Sequence, residues 1–196
     1  MNSNEDIIPK IYVGNLIKRA REAQKIADFF TSTRRPASDT PLLSTEELKK
    51  KILDLNKDSR PYQIRPANSD EEGVDFVAEW KMVDAKWYQI FAKAALKDTF
   101  KIFLKLHSET SEVHALDQRF TVAWSAGIPV LSMSVSAFRG QQQSVEFGTN
   151  YAFTEKGELG QVYNYHFSTN EMKKPIQDAV TGGGWIYRGV VRKGKL

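Results

Sequence analysis

The stretch Val74-Asp-Phe-Val-Ala-Glu-Trp-Lys-Met82 decides the fold. Its side chains Val74, Phe76, Ala78, Trp80 and Met82 fall on every second position, with Asp75, Val77, Glu79 and Lys81 between them. Alternate residues of an extended chain point to opposite faces, so this pattern predicts a half-buried strand. Moving towards the C-terminus, Thr99–His107 repeats the pattern with Phe100, Ile102, Leu104 and Leu106. Ser108–Ser111 is a turn signal, so the return strand from Glu112 forms a hairpin, and Arg119–Ser125 extends it with Phe120, Val122 and Trp124. Val130–Arg139, Ser144–Thr154 and Gln161–Ser168 read as further strands, separated by Gly140 with three glutamines and by Lys156–Gly160. Strands joined by short turns predict antiparallel pairing.

Helices are expected at four places in and before this array. Asp84 is placed to cap a helix ending near Lys97, with Trp87, Ile90, Phe91 and Ala94 as its apolar face. A short helix is expected to start at Pro175 and to stop at Gly182-Gly-Gly184, before a last strand over Trp185–Val191. Towards the N-terminus the period lengthens. Val13, Leu16, Ile17, Ala20, Ala23, Ala27 and Phe30 recur three or four apart, which predicts one amphipathic helix over Tyr12–Phe30. Ser44-Thr-Glu-Glu47 matches a capping box at the head of a second helix carrying Leu48, Ile52 and Leu55. Asn56–Pro66 holds two prolines and reads as an extended connector.

The expected class is therefore α+β: a curved antiparallel sheet of about six or seven strands packed by helices, with an N-terminal helical arm. Residues 1–66 form the arm and linker, and residues 67–196 form the α+β domain.

Charge follows the same division. Residues 1–66 hold 13 Lys and Arg against 9 Asp and Glu, whereas residues 67–196 hold 15 of each. The whole surplus of +4 sits on the arm, so the main domain is not expected to read nucleic acid. The chain has no cysteine, which excludes disulfides, thiolate nucleophiles and Cys-ligated metals. No apolar run reaches the roughly 18 residues of a membrane-spanning helix. Residues 1–10 carry Glu5 and Asp6 and lack the apolar core of a secretory signal, and the expected address is cytoplasmic.

Motifs with chemical content are few. His107 and His114 flank the hairpin turn, where with Glu109, Glu112 or Asp117 they have the donor types of an N/O metal site, but the spacing matches no metal signature. His166 lies opposite Tyr163, Tyr165 and Phe167 on its strand. No G-x-S-x-G elbow or phosphate-binding glycine loop is present, and Gly182–Gly184 follows a helix, the reverse of a phosphate cradle. No catalytic residue, metal ligand or cofactor is assigned.

The aromatic residues are the most informative set. Tyr151 with Phe153, and Tyr163 with Tyr165, lie on strand faces able to line a pocket for an apolar or planar ligand, and Arg139 sits in a polar loop able to rim it.

The segments Trp80-Lys-Met-Val-Asp-Ala-Lys-Trp-Tyr88, Tyr151-Ala-Phe-Thr-Glu155, Val162-Tyr-Asn-Tyr-His-Phe-Ser168, Lys174-Pro-Ile-Gln177 and Gly184-Trp-Ile-Tyr-Arg-Gly189 resemble an uncharacterised family of bacterial proteins. The resemblance spans approximately residues 73–190. It implies a bacterial source and a single α+β unit, and it carries no catalytic residue onto this chain.

Three functional readings follow. The first is a non-catalytic ligand-binding or assembly domain, with an apolar small molecule on the aromatic sheet face or a second copy of the chain on the N-terminal helix. The second is a hydrolase or isomerase using His166 or the His107/His114 pair. The third is association of the basic arm with anionic lipid or RNA.

Overall fold

The computed structural model describes residues 10–68, 73–84, 91, 98–125, 128–133, 146–147, 152–153, 163–164 and 167–196. Helix α1 covers Lys10–Phe30 and α2 covers Thr45–Leu53. The capping box at α2 is formed in both directions. The Glu47 backbone N–H donates to Ser44 Oγ, and the Ser44 backbone N–H donates to Glu47 Oε2 at 2.9 Å. Leu48 and Ile52 of α2 are then fully buried on the sheet.

The sheet is open, curved and mostly antiparallel, with strands β1 (Tyr62–Pro66), β2 (Phe76–Trp80), β3 (Asp98–His107), β4 (Glu112–Ser125), β5 (Ile128–Met133) and β10 (Ile186–Val190). Strand order is β1-β2-β3-β4-β10, with β5 on the second half of β4. The β3–β4 hairpin has the predicted turn, with His107 opposite Glu112.

Three elements differ from the sequence reading. Tyr62–Pro66 is a paired strand, with Tyr62 opposite Trp80 and Ile64 opposite Ala78. Its prolines flank or end the ladder, where a missing N–H costs no bond. Second, β10 runs parallel to β4, because a helix intervenes and returns the chain to the same end of the sheet. Third, that helix, α3 (Thr169–Thr181), starts six residues before Pro175, so the proline lies inside it. Thr169, Met172 and Lys173 of its first turns are buried, and this packing outweighs the bond lost at Pro175.

Both faces of the sheet carry buried apolar groups. The larger core joins Ile64, Trp80, Phe100, Ile102 and Val113 to α2 and to Met172, Ile176 and Val180 of α3. The smaller one joins Val74, Val77, Phe103, Leu116 and Val190. Val77 and Phe103 therefore fill a second core instead of facing water, contrary to a strictly one-sided strand.

Beyond α3, Gly184 adopts φ +78°, and a Cβ there would lie 2.7 Å from the Pro41 carbonyl oxygen. The chain at 41–43 is laid directly on this turn. Leu43 N–H donates to the Gly183 carbonyl at 2.9 Å, and Trp185 Nε1 donates to the Leu43 carbonyl at 2.8 Å. The glycines thus permit close backbone approach, as a helix stop requires.

Of the helix expected at 84–97, only the cap position Asp84 and Phe91 are described; Phe91 is helical, buried, and meets Trp80 edge-on with ring centroids 6.2 Å apart. Between β5 and α3 the described pairs are β6 (Glu146–Phe147) with β9 (Phe167–Ser168), and β7 (Ala152–Phe153) with β8 (Tyr163–Asn164), both antiparallel.

Candidate functional site

The helix α1 is about 30 Å long at 1.5 Å per residue. Leu16, Ile17, Ile26, Phe29 and Phe30 on it are exposed, from 47% at Ile17 to 69% at Phe30. With about 3.6 residues per turn, Leu16, Ala20, Ala23, Ala27 and Phe30 share one face. Ile17 and Ile26 flank it, with Arg19 at its margin, and Lys18, Arg21 and Lys25 occupy the opposite side. A surface helix normally buries such a stripe on its own domain; here α1 leaves it in solvent.

The root of this helix is fixed. Ser32 takes φ +51°, Thr33 is buried, and Arg34 forms an antiparallel bridge to β10, donating to the Tyr187 carbonyl at 2.8 Å and accepting from its N–H at 2.9 Å. Arg35 reaches back to Asp28 at 2.9 Å. That guanidinium bond holds the Asp28 carboxyl below its ordinary range, against a partial opposing effect of burial.

The two hairpin histidines do meet, with ring centroids 4.1 Å apart. His114 Nδ1 lies 2.8 Å from the Lys195 carbonyl and Nε2 lies 2.9 Å from Glu112 Oε2. Glu112 also accepts two bonds from Arg188, at 2.6 and 2.8 Å. This bidentate Arg188 pairing, with His114 adding to it, lowers the Glu112 carboxyl to about 2 despite burial. Burial first, and the neighbouring His114 second, lower the value of His107. Asp117 turns away from the pair to Lys173, at 2.6 Å. Among the described residues no group of three His, Asp or Glu side chains converges as a ligand set.

Of the sequence-derived aromatic site, Tyr151, Tyr165 and Arg139 lie outside the described residues, as does His166. Phe153 and Tyr163 are brought directly opposite each other in the β7–β8 register. A separate cleft of about 290 Å³ opens where β2, β3 and β5 meet, lined in part by Met82, Val83, Pro129 and Leu131, with Glu79 and Lys101 among its polar residues.

The sequence reading counts Arg34 only among the basic residues of the arm and Arg188 only within the stretch Gly184–Gly189, and gives neither a pairing role. Each sits in a short, unremarkable context, and only the β4–β10 pairing brings Arg188 to Glu112 across 76 residues. Among the described residues no helix is long and apolar enough to cross a membrane. No protein-family model, curated protein or solved structure matches the chain.

Proposed function

We propose that this is a non-catalytic docking domain, cytoplasmic and bacterial, which uses α1 to lie on an anionic membrane surface. The observation that carries the reading is the exposure of four large apolar side chains, Leu16, Ile17, Ile26 and Phe30, on and beside the stripe of one basic helix. Each such side chain stabilises an association by roughly 1.5–3 kcal/mol when fully buried. Each Lys or Arg near an anionic bilayer adds about 1 kcal/mol. A lipid interface satisfies both faces at once. A second copy of α1 packed stripe to stripe would leave Lys18, Arg21 and Lys25 in solvent with no anionic partner, and an RNA backbone offers Leu16 and Phe30 nothing to bury against.

The test is co-sedimentation with phosphatidylglycerol vesicles, using phosphatidylcholine vesicles as the contrast. Binding is expected on the anionic vesicles alone, weakening as salt rises. The paired substitutions Leu16→Glu and Ile17→Glu are expected to lower it at least about tenfold. No binding, or a concentration-dependent dimer that the same substitutions abolish, would overturn the reading.

A second reading keeps a small apolar ligand. The Phe153–Tyr163 register and the 290 Å³ cleft near β5 favour it. Native mass spectrometry and a thermal-shift screen test it; absence of any bound mass or shift would sink it.

A further inference from the structure

We propose that the groove between the root of α1 and helix α3 is a binding site for a phosphate monoester group. The groove encloses about 500 Å³, within the range of small-molecule sites. Its wall from the α1 side carries Lys25, Ser32 and Arg34, and its wall from α3 carries Asn170 and Gln177. Lys173 forms the floor, already paired with Asp117, so the net charge comes from Lys25 and Arg34.

Buried polar groups are costly and are placed with reason. The described part of the protein has five buried polar or charged residues, and three of them, Ser32, Thr33 and Lys173, line this one groove. Its single carboxylate, Asp28, is held by Arg35 and by Gln24 Nε2 at 2.7 Å, so it presents no unpaired negative charge to a ligand. Among the described residues the side chains of Lys25, Arg34, Asn170 and Gln177 engage no other group. What remains is a set of donors arriving from two walls around one volume. A tetrahedral dianion accepts from several directions at once and matches such a set, with Arg34 as the forked donor. The ring of Phe29 supplies an apolar margin for the organic part of the ester.

The phosphate could belong to a soluble metabolite or to a lipid headgroup, and the experiment separates them. Isothermal titration with glycerol 3-phosphate and with monomeric dihexanoyl phosphatidic acid would be run on the full chain. Saturable binding of either is expected, and amide shifts by NMR should cluster at 25–34 and 170–177. Equal affinities assign a soluble source; a much tighter lipid assigns the headgroup. Arg34→Ala should weaken binding at least about tenfold, since a charge-assisted bond is lost. Its backbone bonds to Tyr187 do not involve the side chain. The pair Asn170→Ala and Gln177→Ala gives an independent check at half-exposed or exposed positions. The Leu16→Glu and Ile17→Glu protein should bind glycerol 3-phosphate as the parent does, so failure of vesicle binding and failure of the groove are distinguishable. No saturable binding, or binding indifferent to both sets of groove substitutions, would overturn the proposal.

Discussion

Lys173 Nζ and Asp117 Oδ2 form an ion pair of 2.6 Å with both side chains only 3% exposed. It ties α3 to the middle of β4, across 56 residues of sequence. A pair this deep gains little over an apolar pair of the same shape, but half of it is costly.

The single substitution Lys173→Met is therefore expected to destabilise the fold by about 3–5 kcal/mol, because it strands the Asp117 charge. Adding Asp117→Leu should recover much of that loss. Urea unfolding of the two single variants and the double variant measures the coupling.

Stability should depend on pH with opposite signs at two glutamates. Glu112 falls from an ordinary 4.5 to about 2 through Arg188, so its stabilisation is full above pH 4.5 and is lost as pH falls towards 2. Glu171 rises from 4.5 to about 7 through burial, so its contribution is full below pH 4.5 and is lost as pH rises through 7. Glu112→Gln should cost about 2 kcal/mol at neutral pH and almost nothing near pH 2, whereas Glu171→Gln should gain about 2 kcal/mol near pH 9 and nothing near pH 4. Unfolding free energies across this range check both signs.

Two glycines should respond in opposite directions. Gly184→Ala forces a Cβ against the Pro41 carbonyl at a left-handed position and is expected to cost about 2–3 kcal/mol. Gly14→Ala, with nothing within 4 Å, should raise the helicity of α1 and gain up to about 1 kcal/mol. Thermal unfolding followed by circular dichroism distinguishes them.

Asn56 imitates a strand partner for β1. Its Oδ1 accepts from the Ile64 N–H at 2.7 Å and its Nδ2 donates to the Ile64 carbonyl at 2.8 Å. Asn56→Ala leaves both backbone groups unpaired and should cost about 1–3 kcal/mol. Faster amide hydrogen exchange at Ile64 is the specific readout.

The sequence disclosed elements wherever a single local rule governed them. The capping box at Ser44, the β3–β4 hairpin turn and the α1 stripe each depend on neighbours a few residues apart. Strand β1 was hidden because its prolines suggest a connector, while the edge position that tolerates them is a property of the sheet. The true start of α3 was hidden for a similar reason: burial of Thr169 and Met172 is a tertiary event. The groove beneath α1 was the least legible feature. Its residues come from 25–34 and 170–177, distant in sequence, and carry no spacing that marks them as a set.

The backbone bridge between Arg34 and Tyr187 occupies the outer N–H and carbonyl of β10 at that residue. An unpaired sheet margin is a template for adding another chain. The anchor of the arm is therefore also a stopper against polymerisation along this margin. Any force that peels the arm from the domain, or any truncation that removes Arg34, uncovers a template for fibre growth, which ties the arm's mechanical attachment to the colloidal behaviour of the whole protein.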